Sequence, residues 1–369
     1  MDGLRLEDYM DIVKAGPAQY YSQTGLIEKS GAIIRHFGKK ALISGGKRSL
    51  AAIENRLLPS LDKEGIQYQI NVFTGECSEN NVTKLIDIAS KMDVDFIIGV
   101  GGGKSLDTAK IAAEILGKPI INIPTIAGTC AASTPMCVMY SDEGVYIKDY
   151  YLKINPNVVL VDFDVLLKAP IEYFRSGILD SIAKWYEGKE AFAKATATDT
   201  FDYMAISLAK NLRENMLNMI DSAISAVKNR VLNDEFKNLV NLNIFTAGSI
   251  QALGVKAVRN GLAHAVQNGL TALKEGHQLL HGIKVGYGIA VQMFVQNSNE
   301  EELEKLFDFY KTMGLIPTFK ALNLPFTNEN VEVVAKRIKI DPLLQRPPFN
   351  YVTVQMLIDA MNKLEKYME

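Results

Sequence analysis

Three side chains in the second half of the sequence have the types and surroundings of a metal site. Asp180, His264 and His281 each lie in a mostly apolar stretch with helical spacing. A buried carboxylate without a partner costs free energy, and a cation beside it would relieve that cost. One aspartate and two neutral imidazoles leave a coordination position open, as catalytic zinc sites do. A histidine in such a stretch is more often a satisfied core residue, so the residues alone leave both interpretations open.

A second candidate site is a run of glycines between a strand and a helix. Residues 96–100 form a continuous apolar run typical of a strand buried on both faces, and Lys104 opens a segment with helical spacing. Glycines let the backbone approach a phosphate, and a helix N-terminus offers free N–H groups. The pattern predicts nucleotide contacts at Gly102, Gly103, Lys104 and Asp107, with Asp107 in the first helical turn. Its spacing matches neither the dinucleotide fingerprint nor the P-loop, so an ordinary tight turn is the alternative.

The elements around these glycines alternate between strand and helix. Strands are predicted at 40–44, 66–73, 96–100, 119–123 and 158–162, helices at 32–37, 50–64 and 80–91, and a hairpin at 136–140 and 145–152. This alternation implies a parallel sheet with right-handed crossovers, whose ligands bind beyond the carboxyl ends of the strands. Three of those ends carry small or polar residues, at 45–46, 101–104 and 124–129, which predicts one shared crevice.

The pattern changes to helix after helix from residue 171 onward. We therefore predict an α/β N-terminal domain with a parallel nucleotide-binding sheet, residues 1–165, and an all-α C-terminal domain that binds metal and carries catalysis, residues 166–369. The default place for a ligand is the cleft between two such halves.

Composition narrows the class of protein. A chain of 369 residues exceeds what one core usually supports, so two domains are expected. A net charge of −2 without a basic block argues against nucleic acid as a partner. The absence of an apolar run of about twenty residues argues against a membrane span. Three cysteines and an acidic start without a signal-peptide core predict a cytoplasmic protein with free thiols. The expected partner is a small-molecule substrate, and we expect a homo-oligomer.

Five motifs in chain order carry a resemblance to a known family. GGGKSLDTAK, PTIAGTCAAST, GILDSIAKWYEG, GLAHAVQNGLT and HGIKVGYG resemble those of the iron-containing (group III) alcohol dehydrogenases, especially the glycerol dehydrogenase-like branch. The resemblance spans nearly the whole chain and implies the dehydroquinate synthase-like architecture, with NAD(P)-dependent interconversion of an alcohol and a carbonyl. It also implies that Asp180, His264 and His281 are metal ligands. The cofactor-contacting positions that it implies are Gly103, Lys104, Thr125, Gly128, Thr134, Met136 and Tyr140, and the strand end at 124–129 adds Thr129.

Three departures from the family pattern shape the expected metal and substrate. The four-ligand iron branch has a histidine one turn after the aspartate, where this chain has Lys184, so we expect Zn²⁺ rather than Fe²⁺. Cys130 replaces an aspartate that touches substrate in glycerol dehydrogenases, and Ile283 replaces the glutamate of their HGEKV motif. With these changes the sequence resembles more closely the hydroxycarboxylate dehydrogenase branch, whose substrates are 2-hydroxy acids and 2-oxo acids. A nucleophilic role for Cys130 is disfavoured because no partner base can be identified.

Lys184 is the expected contact for a substrate carboxylate. It lies four residues after Asp180, so on a helix both side chains leave the same face. An ammonium there would orient a 2-oxo acid beside the metal, and we count Lys184 among the catalytic residues. The alternative is that Lys184 pairs with Glu187 or Glu190 on its own helix.

The end of an early strand predicts the choice of dinucleotide. Members of this family often have an aspartate, which holds the ribose 2′-hydroxyl and repels a 2′-phosphate, where this chain has Gly46. Lys47 and Arg48 follow at once. We therefore expect NADP(H) to be used at least as well as NAD(H), unless the two cations are only solvated helix-start residues.

Three other functions remain open at this stage. Glycerol dehydrogenase is the alternative within the same reaction type. A metal- and NAD-dependent lyase of the dehydroquinate synthase type would share the fold, and a non-catalytic binding protein on an enzyme scaffold is the third possibility. The complete set Asp180, His264 and His281 argues against the last.

Overall fold

The computed structural model describes residues 13–195, 197–254, 261–345 and 347–369. The described residues divide into two compact units. The α/β unit contains those up to Pro170 together with Asn229–Leu232 and Asn243–Ala252, and the helical unit contains the remainder. The predicted domain boundary after residue 165 stays a prediction, and the acidic start from which the cytoplasmic location was argued lies mostly outside the described residues.

A six-stranded parallel sheet is the centre of the α/β unit. The strands of the unit are β1 (Gln19–Gln23), β2 (Lys40–Gly46), β3 (Gln67–Phe73), β4 (Phe96–Gly101), β5 (Ile120–Pro124), β6 (Met136–Tyr140), β7 (Tyr146–Tyr151) and β8 (Val158–Asp162). The sheet has the order β1-β8-β5-β4-β2-β3 with every neighbouring pair parallel, which confirms the predicted parallel sheet. β6 and β7 form the predicted antiparallel hairpin.

Helices cover both faces of this sheet. The helices of this unit are α1 (Ser30–Ile34), α2 (Lys47–Ala51), α3 (Glu54–Lys63), α4 (Glu79–Met92), α5 (Gly103–Leu116) and α6 (Phe163–Lys168), and most of α10 (Ala247–Leu253), much later in the chain, also belongs to it. Neighbouring residues of one strand face opposite sides of the sheet: Leu42 and Ile97 belong to one buried cluster, and Ile43 and Ile98 belong to the other. A sheet covered on both faces explains why its central strands read as continuous apolar runs.

Two expectations about this unit were wrong in detail. The helix predicted at 50–64 is two helices, α2 and α3, because Ile53 leaves the helical conformation with φ −132° and buries its side chain completely. The helix predicted at 32–37 is α1 followed by a 3₁₀ turn, Arg35–Phe37. The edge strand β1, with the sequence QYYSQ, was not predicted.

The described part of the helical unit consists of helices and turns, as predicted from residue 171 onward. Its helices are α7 (Ile171–Lys194), α8 (Thr200–Asn229), α9 (Asp234–Asn241), α11 (Leu262–Gly269), α12 (His281–Val295), α13 (Glu300–Met313), α14 (Asn328–Lys339) and α15 (Val354–Tyr367). A π-helical segment, Leu242–Thr246, follows α9, and its residues from Asn243 onward belong to the α/β unit. None of the helices in the described ranges is both long and apolar enough to cross a membrane.

Candidate metal and nucleotide sites

Asp180, His264 and His281 come together in the helical unit. Asp180 lies in α7, His264 lies in α11, and His281 is the first residue of α12. One carboxylate oxygen, Asp180 Oδ1, lies 3.3 Å from Nε2 of His264 and 3.1 Å from Nε2 of His281. The ligand atoms of all three residues lie within 4.8 Å of one another. Across the described ranges, no other group of three His, Cys, Asp or Glu residues is this compact.

Glycines in α12 let this helix lie directly against its neighbours. A Cβ atom on Gly282 would lie 1.7 Å from the carbonyl oxygen of Ser176 in α7, and one on Gly288 would lie 2.2 Å from that of Ala263 in α11. Contacts that short exclude any side chain, so glycine is required at both positions. His281 precedes Gly282 directly and is therefore held beside α7, the helix that carries the aspartate.

Neighbouring charges move the pKa values of His264 and Asp180 in opposite directions. Burial alone lowers the pKa of His264, but the carboxylates of Glu187 and Asp180 outweigh burial and raise it to about 9. Burial alone raises the pKa of Asp180, but His281 and His264 outweigh burial and hold it well below its usual range. Without a bound cation, the protein thus holds a proton between His264 and Asp180 near neutral pH. A metal ion that takes these ligand atoms must displace that proton.

The ligand set fits a divalent transition metal. Two imidazole nitrogens and one carboxylate oxygen suit both zinc and ferrous iron. The side chains of Asp180 and His264 are 8% and 7% exposed, whereas the side chain of His281 is 40% exposed. The cluster is therefore shielded from water on one side and reachable by a small molecule at His281.

Glu187 is a site residue that the sequence analysis missed. Its carboxylate is 1% exposed and lies against His264, with Oε2 2.8 Å from Nδ1 of the ring. The other oxygen accepts hydrogen bonds from the backbone N–H groups of Gly261, at 2.8 Å, and of His264, at 2.9 Å. Its spacing was the available signal, because residues seven apart in a helix share a face and Glu187 lies seven after Asp180.

Lys184 lies one turn after Asp180 in α7 and is 7% exposed. Its side chain is buried on the helix that carries Asp180; its reach toward the metal cluster and its contact with a substrate stay predictions. Cys130 belongs to the α/β unit, where it follows β5 and is also buried.

The predicted nucleotide contacts collect at one edge of the sheet in the α/β unit. β5, β4 and β2 are adjacent, and at their carboxyl ends Thr125 follows β5, Gly102 follows β4 and Gly46 is the last residue of β2. Gly101, the last residue of β4, adopts φ +135°, a backbone conformation that side chains rarely allow, which explains the need for glycine in this turn. α5 begins at Gly103 without a side-chain cap, and its first N–H groups can therefore bind an anion.

Further predicted contacts line the loop after β5 and the start of the hairpin. Gly128 and Thr129 lie in that loop, and Thr134 Oγ1 donates to the carbonyl oxygen of Met136 at 3.0 Å. Tyr140 ends β6, with its ring centroid 6.0 Å from Nζ of Lys104. The Lys104 ammonium also pairs with Glu76. Contact of each of these residues with a nucleotide stays a prediction.

The placement of Asp107 in the first helical turn was wrong. α5 begins one residue earlier than predicted, at Gly103, so Asp107 lies in the second turn. Its carboxylate is buried, pairs with Lys110 at 2.9 Å and accepts the backbone N–H of Val138 at 3.0 Å. The Lys110 ammonium also donates to the carbonyl oxygens of Ala131, at 2.8 Å, Thr134, at 3.1 Å, and Met136, at 2.8 Å. Asp107 and Lys110 thus fasten the loop after β5 to α5.

Comparisons with known proteins agree with this architecture. The sequence profile of the family "Iron-containing alcohol dehydrogenase" matches residues 17–163. Hydroxycarboxylate dehydrogenase A of Escherichia coli (strain K12) is 35% identical over 359 residues, 96% of this chain and 98% of its own length. Glycerol dehydrogenase of Pseudomonas putida is 32% identical over 319 residues, covering 85% and 86% of the two chains. The crystal structure of glycerol dehydrogenase from Schizosaccharomyces pombe superposes with a TM-score of 0.86 at 27% identity, covering 97% of this chain and 91% of that one.

The protein is a metal-dependent, NAD-linked dehydrogenase that acts on alcohol groups, as its fold, its cluster of Asp180, His264 and His281 and its relatives together indicate. The chain belongs to the iron-containing alcohol dehydrogenase family, as the resemblance implied. This family assignment supports NAD and a divalent metal as cofactors and a small-molecule alcohol as substrate, and it favours a dehydrogenase over a lyase or a non-catalytic binding protein.

Proposed function

We propose that this protein is a zinc-dependent dehydrogenase that interconverts 2-hydroxy acids and 2-oxo acids, with Asp180, His264 and His281 as the metal ligands. The observation that carries the proposal is the convergence of both histidine Nε2 atoms on one oxygen of Asp180, at 3.3 and 3.1 Å. When bound, the metal supplies a Lewis acid for the substrate oxygen and the nicotinamide supplies or accepts the hydride.

The choice of an anionic substrate rests on charge. We infer that Lys184, buried one turn after Asp180, orients the substrate carboxylate. An uncharged Cys130, where glycerol dehydrogenases have an aspartate by the resemblance, removes a repulsion against an anion. The similarity to hydroxycarboxylate dehydrogenase A supports the same substrate class.

For the dinucleotide, we propose that the protein uses NADP(H) at least as readily as NAD(H). Gly46 ends β2 and is followed by the exposed cations Lys47 and Arg48, which can pair with a 2′-phosphate. The proposed nucleotide contacts are Gly46, Gly102, Gly103, Lys104, Thr125, Gly128, Thr129, Thr134, Met136 and Tyr140. Asp107 is given an indirect role, because its carboxylate is paired with Lys110.

The test combines metal analysis with a substrate panel. Purified protein should contain about one zinc per chain, lose activity to a chelator and recover it with Zn²⁺. Oxidation of NADPH and NADH at 340 nm should be faster with 2-oxobutanoate or 2-oxoglutarate than with dihydroxyacetone. Ala substitutions of Asp180, His264 and His281 should each abolish turnover and leave the fold intact. Full activity in metal-free protein would refute the metal site.

Glycerol dehydrogenase is the second candidate, because several relatives carry that name and one of them is 32% identical over 85% of this chain. A clear preference for dihydroxyacetone and glycerol in the same panel would favour it and would remove the proposed role of Lys184. We also propose a cytoplasmic homo-oligomer; the three free cysteines suit a reducing compartment.

A further inference from the structure

We propose that Glu187 is a positioning residue that fixes the tautomer and the orientation of the His264 ring for metal binding. The inference rests on the proposed metal site and adds a residue to it. Glu187 does not belong to the ligand set, and its carboxylate reaches the metal only through the imidazole of His264.

Glu187 holds His264 at two points. Its Oε1 accepts the backbone N–H of His264 at 2.9 Å, together with that of Gly261 at 2.8 Å, where α11 begins. Its Oε2 lies 2.8 Å from Nδ1 of the His264 ring. With 1% of the side chain exposed, water cannot replace these contacts. One carboxylate therefore fixes both the backbone and the ring of the same histidine.

The second contact determines which ring nitrogen is free. A carboxylate can only accept hydrogen bonds, so Nδ1 of His264 must carry the hydrogen. The lone pair of the neutral ring is then on Nε2, the atom that lies 3.3 Å from Asp180 Oδ1. A metal ligand needs its lone pair on the side of the metal, and a carboxylate behind the ring also strengthens the ring as a donor.

Glu187→Gln separates this role from simple capping of α11. The amide has one accepting and one donating group, whereas the carboxylate has two acceptors. If the amide oxygen stays with the two backbone N–H groups, the NH₂ group meets Nδ1–H of His264. If the amide is reversed, NH₂ meets the backbone donors. Either orientation sets donor against donor. Only the first conflict can be relieved by the ring, which must then move its hydrogen to Nε2 and lose the lone pair that the metal needs.

The affinity for zinc is measured by competition with a chromophoric chelator in wild type, Glu187→Gln and Glu190→Gln. We expect Glu187→Gln to bind Zn²⁺ about 10- to 100-fold more weakly than wild type. Glu190→Gln is the matched control, because it makes the same change in the same helix at a residue that pairs with Lys194. Its zinc affinity should remain within twofold of wild type.

A spectroscopic measurement on the wild type reads the tautomer of His264 directly and does not depend on the folding of Glu187→Gln. The chain has four histidines, so selective ¹⁵N labelling resolves their ring nitrogens, and loss of one signal set in His264→Asn assigns that residue. In the zinc-loaded enzyme, His264 should carry hydrogen on Nδ1 and bind through Nε2.

The possible results are distinct. Unchanged zinc affinity in Glu187→Gln, or a hydrogen on Nε2 of His264 in the loaded wild type, would overturn the role of Glu187 and leave the proposed function standing. Failure of wild-type protein to bind zinc would overturn the metal site itself, and the role of Glu187 with it.

Discussion

Replacement of Gly46 by aspartate should shift the enzyme from NADPH toward NADH. The backbone accepts this change, because Gly46 has φ −64° and ψ 151°, which any L residue adopts. There is also room for the side chain: within the described part of the chain, a Cβ at this position would meet only Ser49 Oγ, 3.8 Å away. Any effect on the dinucleotide therefore comes from the carboxylate and not from a distorted strand end.

The size of the shift follows from one charged hydrogen bond. A carboxylate that accepts the ribose 2′-hydroxyl of NADH contributes about 1.5–3 kcal/mol, and the same carboxylate repels the 2′-phosphate of NADPH. One factor of ten corresponds to about 1.4 kcal/mol. The ratio of kcat/KM for NADPH to that for NADH should thus fall by at least about tenfold.

The assay compares kcat/KM for the two dinucleotides with one 2-oxo acid held at saturation. Gly46→Asn is the matched control, since it adds the same shape without the charge and should change the ratio much less. The Tm of each variant must lie close to that of wild type. An unchanged ratio in a well-folded Gly46→Asp protein would mean that Gly46 does not face the ribose, and the argument for NADP(H) would fail.

Three further changes test other parts of the molecule. Lys184→Met should raise KM for 2-oxobutanoate about tenfold or more and change KM for a neutral ketone little; equal effects on both would make the lysine structural. Lys110→Met should lower the free energy of unfolding, measured with denaturant, by about 3–5 kcal/mol, because Asp107 is left as a buried charge without its partner. Adding Asp107→Asn to this variant should recover part of the lost stability. A loss below about 1 kcal/mol in Lys110→Met would contradict the ion pair. The pKa of His264 is raised from 6.5 to about 9 in the folded protein. Protonated His264 therefore stabilises the metal-free protein fully at pH values below 6.5, and this contribution is lost as the pH rises through about 9. The Tm of metal-free protein should therefore fall between pH 7 and 10 more steeply than that of zinc-loaded protein, and parallel curves would refute the proton between His264 and Asp180.

The parts of this protein that could be predicted from sequence are those whose signal is local. A glycine run between an apolar strand and a helix is visible within about ten residues, and the carboxyl ends of neighbouring parallel strands must meet at one edge. Asp180, His264 and His281 stand out because charged or polar groups on apolar helical faces are uncommon.

What could not be predicted depends on contacts between distant parts of the chain. The sequence alone offers Glu187 only as a possible partner of Lys184, because its actual partner, His264, lies 77 positions later. Asp107 reads as a phosphate contact until Val138, 31 positions later, is placed beside it. The break at Ile53 is invisible to helical periodicity, because it serves the burial of one side chain in the core. In each case tertiary packing overrides a correct local pattern.

The four oxygen atoms around the Lys110 ammonium, from Asp107, Ala131, Thr134 and Met136, have a consequence for how this protein responds to salt. Three carbonyl oxygens and one carboxylate converge on the Lys110 ammonium, and converging carbonyl oxygens are also the ligands by which potassium channels hold their ion. Here the positive charge is covalently attached to the chain, and its side chain has no exposed surface. Unlike a bound metal ion, this ammonium cannot be removed by dilution, by exchange with another ion or by a chelator. The loop after β5 therefore keeps its conformation whichever alkali metal ion the surrounding solution contains.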